Sequence, residues 1–184
     1  MKKVLLLIAL LSLSPLLSAQ KVSVSTNILG YAALGTLNGE VSYSFSRRWS
    51  LVLGARYNPY SFRKQDTSRD FRLRQQAYSV GARLWPWHVL SGWWIASRLR
   101  YQEYNMGGIL SERGQEGDRI GLGLSAGYTL MLSRHFNLEF ALGMWGGLDW
   151  YRRYSCPVCG ITIGEGMKGF VLPDDMAVTV AYVF

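Results

Sequence analysis

Apolar and polar side chains alternate with a period of two along most of the chain. That is the period of a β-strand, whose successive side chains point to opposite faces. The pattern is plainest over residues 118–132. There Ile120, Leu122, Leu124, Ala126, Tyr128 and Leu130 alternate with Gly121, Gly123, Ser125, Gly127 and Thr129. The end of the chain repeats it, with Met176, Val178, Val180, Tyr182 and Phe184 against Ala177, Thr179, Ala181 and Val183. Eight such segments are predicted, over residues 21–33, 38–46, 50–60, 74–85, 92–104, 118–132, 136–151 and 176–184.

The connections alternate in length. Residues 47–49, 86–91 and 133–135 are short links, residues 61–73, 105–117 and 152–171 are long ones, and only residues 34–37 depart from the rule. An even strand number with alternating short and long links predicts an all-β fold, an eight-stranded antiparallel up-and-down transmembrane β-barrel. Its short turns would be periplasmic and its long loops external. Aromatic residues gather toward two levels. Trp49, Trp85, Trp87, Trp93 and Trp94 lie near the short turns; Tyr57, Tyr60, Tyr101, Tyr104, Trp150, Tyr151 and Tyr154 lie near the long links. Rings that are apolar at one end and hydrogen-bonding at the other suit lipid headgroup levels. Alternation alone also fits a soluble lipocalin-like barrel with its faces reversed. The terminal Phe184, the two aromatic levels and the charge on the small face favour lipid on the outside. Phe184 also reads as an assembly signal, the C-terminal aromatic that the barrel-assembly machinery recognises.

The first residues change the picture from shape to address. Met1-Lys2-Lys3 precedes an apolar run from Val4 to Leu17 broken only by Ser and Pro, and Ser18-Ala19-Gln20 follows. This predicts a cleavable signal peptide over residues 1–19 and a barrel over residues 20–184, in the cell outer membrane. An apolar run of about 14 residues falls short of the ~20 that a spanning helix needs. The formal charge is +8, and +6 without Lys2 and Lys3. Nucleic acid is not an expected partner of an exported chain; anionic lipid is.

The other face of the strands carries Glu40, Arg56, Arg83, Arg98, Arg100, Glu139 and Asp149. Charges removed from lipid must be paired or hydrated. Eight strands enclose a space that side chains fill, so these residues are expected to form a lumen charge network that plugs the barrel. A narrow pore for small solutes is the alternative.

Candidate chemistry is sparse. Cys156-Pro-Val-Cys159-Gly160 holds both cysteines. A tetrahedral zinc site needs four ligands, and a thioredoxin-like site needs a βαβ setting, which is missing. In an exported loop the expected state is a local Cys156–Cys159 disulfide. Arg63, Lys64, Arg69, Arg72 and Arg74 cluster in one external loop, Arg113 and Arg119 in another, and Arg152, Arg153 and Lys168 in a third, which makes the loops basic. Arg63, Lys64, Arg69, Arg72, Arg152 and Arg153 are expected to face lipopolysaccharide phosphates, which guanidinium groups bind bidentately. His88 and His135 fall at the short turns, far from Asp66, Asp70, Glu112 and Glu116. No nucleophile–base pair can be placed at one rim, so no catalytic residue, metal or cofactor is expected, and a lipid-modifying enzyme is the remote reading.

Thr26-Asn27-Ile28-Leu29, Tyr57-Asn58-Pro59-Tyr60, Tyr104-Asn105-Met106-Gly107-Gly108-Ile109 and the stretch from Asp149-Trp150-Tyr151 to Cys159-Gly160 resemble a family of small exported proteins from Bacteroides-type bacteria. That family is filed as a domain of unknown function and its members are often encoded near fimbrillin-like genes. The resemblance implies an outer-membrane barrel and a place beside surface fimbriae, and it brings no catalytic residues. The layout is also similar to the barrel of OmpA-type proteins.

Overall fold

The computed structural model describes residues 21–32, 35–62, 71–107, 114–155 and 161–184. The strands are β1 (Val22–Asn27), β2 (Leu37–Ser44), β3 (Trp49–Asn58), β4 (Ser61–Phe62), β5 (Phe71–Leu84), β6 (Gly92–Gly107), β7 (Gly114–Met131), β8 (Phe136–Tyr154) and β9 (Thr162–Val183). One short helix, α1 (Ile28–Ala32), follows β1. Neighbouring strands pair antiparallel in chain order, and β1 pairs with β9 to close the ring. The two-residue β4 only extends the edge of β5 beyond the end of β3, and β3 itself pairs with β5. Eight strands therefore go round, in an all-β, antiparallel, up-and-down closed barrel.

The register sets the tilt. Direct pairs lead from Ser25 through Glu40, Gly54, Ser79, Arg100, Gly121 and Gly147 to Phe170. Ser25 itself pairs with Ala181, eleven positions further along β9, one of them the extra residue of a bulge opposite Ala141–Gly143. A stagger of that size obliges strands to lean by roughly 35–45°.

The large apolar face points outward and the small polar face inward. Leu122 and Leu124 are 64% and 69% exposed, whereas Arg83, Glu139 and Asp149 are 3%, 3% and 0% exposed. At the end that holds Lys21, Phe184 and the short turns, Trp85, Leu90, Trp94, Ala96 and Val183 form an apolar stopper inside the ring. Leu90 reaches it from the turn with φ at 65°, and Asn137 Nδ2 donates to its carbonyl at 3.0 Å. The Trp85 and Trp94 indoles donate to Ser50 Oγ at 3.1 Å and Thr129 Oγ1 at 3.2 Å. Both tryptophans were expected on the outer aromatic level. They face inward because their parity along β5 and β6 is that of Arg83 and Ala96, and only Trp49, Trp87 and Trp93 of that group are exposed.

Two further expectations change. The first strand stops at Asn27 and does not run to residue 33. Asn27 Oδ1 accepts the N–H groups of Leu29 and Val178, which turns the chain into α1. Gly35, at φ 70°, ends that turn, and its N–H donates to Tyr31 O at 2.9 Å. The last long link is mostly strand, since β8 and β9 stay paired out to Tyr154 and Thr162. Strands lengthen from 6 residues in β1 to 22 in β9, so the wall is low at β1–β3 and high at β6–β9.

Asn38 ties the low wall together. Its Oδ1 accepts Asn27 N–H at 2.6 Å and its Nδ2 donates to Asn27 O at 2.9 Å. Asn38→Ala leaves two backbone groups unpaired, so we expect a loss of about 1–2 kcal/mol. Faster hydrogen exchange confined to residues near Asn27 checks it; unchanged exchange there would remove Asn38 as the tie.

Candidate functional site

The seven charged residues expected in the lumen divide between two levels. The lower level is a chain of ion pairs across the ring. Arg83 on β5 reaches Glu139 on β8, Nη1 to Oε2 at 3.0 Å, and its Nη2 donates to Glu40 on β2. The second Glu40 oxygen takes Arg98 Nη1 from β6 at 3.0 Å. The Arg83 guanidinium also lies 4.3 Å from the Trp94 ring centroid, so the network rests on the apolar stopper. Arg56 and Arg100 join this level around a cavity of about 60 Å³ lined also by Glu40, Arg98 and Ser125. That volume has room for a few water molecules. Arg100 packs over Trp145, 4.9 Å from its centroid.

Asp149 heads a separate upper level. Tyr104 donates its hydroxyl to Oδ1 at 2.7 Å, and Gln115 Nε2 donates to that hydroxyl at 2.7 Å. Arg119 Nε and Lys168 Nζ stand 3.3 and 3.5 Å from Oδ2, at ion-pair distance without hydrogen-bond geometry. Arg119 also lies 3.8 Å from the Tyr104 ring centroid. Arg119 and Lys168 were expected in external loops, and Tyr104 on an outer aromatic level. All three point inward because the strand period continues past the length a membrane requires. The signal was legible on β9, where Ile163, Glu165 and Met167 alternate with Gly164, Gly166 and Lys168.

Above the apolar residues, the outward face turns polar. The Tyr101 hydroxyl lies 3.0 Å from Glu103 Oε1 and 3.2 Å from Asp118 Oδ1. Asn105 Nδ2 donates to Glu116 Oε2 at 3.1 Å, and Arg152 Nε meets Glu165 Oε2 at 3.3 Å. The Tyr154 hydroxyl donates to Glu116, and that bond pushes its phenol pKa above the usual value. Toward the open rim a cavity of about 800 Å³ is lined from β3 to β9 by residues of both faces, among them Asn58, Gln75, Tyr104, Tyr151 and Gly166 of the inward face, so it is the mouth of the lumen. Arg152 and Arg153, expected in a loop, belong to β8, and Arg153 lies 4.8 Å from the Tyr151 ring centroid. Arg72 lies on β5, paired with Gly107. Arg63, Lys64, Arg69, Cys156 and Cys159 lie outside the described residues. Among the described residues no three His, Cys, Asp or Glu side chains converge as metal ligands.

A family model described as "Protein of unknown function (DUF3575)" matches residues 5–184. The chain belongs to that family. No curated protein and no solved structure matches it. This DUF3575 protein is a barrel with a lumen filled at two levels and an outer surface divided into an apolar band and a polar collar.

Proposed function

We propose that this protein is a non-enzymatic outer-membrane β-barrel with a structural or surface-interaction role: membrane integrity, adhesion or support of fimbria assembly. The observation that carries the reading is the outward apolar band. On β7 it runs from Leu130 to Ile120. At about 3.3 Å per residue and a lean near 40°, those positions span roughly 25 Å, the height of a barrel's lipid-facing belt. Exposed rings bound it, with Tyr43, Trp49, Trp93 and Tyr182 at the terminal end and Tyr57, Tyr78 and Tyr101 at the other.

In this reading residues 1–19 are a signal peptide, and Phe184, whose N–H donates to Val22 O at 2.9 Å, addresses the chain to the barrel-assembly machinery. The partners are outer-membrane lipid and lipopolysaccharide, the latter through Arg63, Lys64, Arg69, Arg72, Arg152 and Arg153, together with fimbrial or other surface proteins. A Cys156–Cys159 disulfide ties the last external connection. The source in a Bacteroides-type organism and the likeness to OmpA-type barrels belong to the same proposal.

The cavity of about 60 Å³ among the lumen arginines favours a second reading, a narrow pore. Planar-bilayer recording separates the two. The wild-type barrel, shown to be folded by slower or faster gel migration before boiling, is expected to give no unitary steps. Arg98→Ala, which frees one Glu40 oxygen, is expected to give small ones. Steady steps from the wild type would overturn the sealed-lumen reading in favour of the pore.

A further inference from the structure

We infer that the upper edge of β9, from Gly164 to Val171, takes an extended segment of a partner polypeptide as an added strand. This deepens the surface-interaction reading and rests on it for the level at which the edge stands.

The edge is open because β1 is short. β9 stays paired with β8 out to Thr162, but with β1 only from Thr179 to Val183. Asn27 then turns the chain into α1, and its Oδ1 accepts the Val178 N–H. Among the described residues no strand lies beside β9 above that point on the β1 side. The open place is the one a longer β1 would fill.

Backbone direction shows what the edge offers. The outward Phe184 and Val178 donate their N–H groups away from β8, to Val22 O and Asn27 Oδ1, while the inward Val183 donates toward β8, to His135 O. Along one strand, face and backbone direction alternate together. The outward Glu165, Met167, Gly169 and Val171 therefore turn N–H and C=O to the open side. Another extended backbone is what matches groups at that repeat.

Level decides where the edge can be used. Ile120, the top of the apolar band on β7, leads by direct pairs through Leu148 to Gly169. The stagger makes each such step climb, by about 3 Å at a lean near 40°, so Gly169 and the residues before it stand above the band. Lower down, lipid cannot satisfy a backbone group, and there the edge is blunted. Pro173, opposite Met144 on the outward face, has no N–H, and the bulge opposite Ala141–Gly143 follows it. Proline and bulges are devices that stop a strand from being added. Gly164 to Val171 has neither. Its two charges are turned to β8, with Lys168 Nζ 3.5 Å from Asp149 and Glu165 3.3 Å from Arg152.

The side chains fit an added strand. Met167 is 60% exposed above the band, where no lipid covers it. On the inner face a Cβ at Gly164 would meet nothing within 4 Å, and one at Gly166 only Tyr151, from 3.4 Å. An incoming strand can thus set apolar side chains against Met167 and larger ones beside the two glycines. A second copy of this chain does not fit. Upright in the same membrane and related by a two-fold axis, its β9 would lean the opposite way, and the two edges would cross at about 80°.

The test scans an array of immobilised octapeptides, alternate positions varied, with the fluorescently labelled barrel refolded in detergent. At least one alternating peptide is expected to bind. Added in solution, that peptide should slow amide exchange at Glu165, Met167 and Gly169 about tenfold and leave Tyr182 unchanged. Met167→Pro deletes one N–H on the open side and leaves the β8 ladder whole. It should weaken the peptide about tenfold with the heat-shifted band retained. Gly166→Val, which fills the inner side of the edge, should do the same and serves if the proline variant does not fold. No bound peptide, or equal binding by the variants, overturns the inference while the membrane reading stands. The three amides already slow in the free barrel would mean that the chain covers its own edge, and a dimer split by Met167→Pro would mean a second copy; either overturns it. A chain with no heat-shifted band in any sample overturns both.

Discussion

Arg83→Ala is expected to destabilise the folded barrel by about 3–5 kcal/mol, the range for removing one partner of a buried ion pair. Arg83 serves two carboxylates at once, Glu139 at 3.0 Å and Glu40, with side chains only 4%, 4% and 16% exposed for Arg83, Glu139 and Glu40. Without it, Glu139 loses its partner at 3.0 Å, while Glu40 keeps Arg98 Nη1 at 3.0 Å. The cost comes from that stranded charge more than from the lost attraction. An exposed pair such as Arg152 with Glu165, 52% and 69% exposed, is screened by solvent and contributes far less. Urea titration of the refolded barrel measures the difference. A loss under about 1 kcal/mol for Arg83→Ala would sink the network as a structural element. A second measurement isolates the cause. Adding Glu139→Gln to Arg83→Ala neutralises one stranded carboxylate, so the double variant should recover part of the loss, a non-additivity that contacting residues show.

That network was readable in the sequence because period two assigns faces without any knowledge of packing. Glu40, Arg83, Arg98 and Glu139 each sit opposite an apolar column, so parity put them on one face, and Phe184, the aromatic levels and the charge itself turned that face inward. The strand count and order were equally legible, from alternation and link length. What was missed shares a physical cause. Expected strands were cut where a membrane would end, yet hydrogen bonding between strands continues wherever two partners remain in register. Arg119, Lys168 and Tyr104 fell beyond that cut and were placed outside the lumen. Trp85 and Trp94 were sorted by residue type rather than by parity, and an indole suits either a headgroup level or a buried stopper with a hydroxyl partner. The short helix α1 was hidden because Thr26-Asn27-Ile28 continues the alternation. The turn is made by a side-chain acceptor, Asn27 Oδ1, whose partner Val178 is 151 residues away and which no local pattern reports.

Gly147→Val is expected to prevent the barrel from closing, leaving no heat-shifted band after refolding. Gly121 and Gly147 are directly paired on β7 and β8, both on the inward face. A Cβ on Gly147 would stand 2.0 Å from Ile120 O and 2.5 Å from Gly121 Cα, and one on Gly121 would stand 2.3 Å from Gly146 O. All of these obstacles are backbone, so no side chain can swing away to make room. The strands would have to separate, which breaks ladder hydrogen bonds on a wall where β7 and β8 are paired from Gly114 to Met131. The cost therefore exceeds the ~1–3 kcal/mol of ordinary overpacking, where rotamers absorb part of the strain. Position, not composition, makes the difference. Gly164 lies on the same face of β9 with nothing within 4 Å of its would-be Cβ. Gly164→Ala should thus change stability by less than about 0.5 kcal/mol. If Gly147→Val folded with an unchanged midpoint, the close approach of β7 and β8 could not be what the glycine pair is for. The narrow, steeply staggered ring would then owe its curvature to the β9 bulge alone.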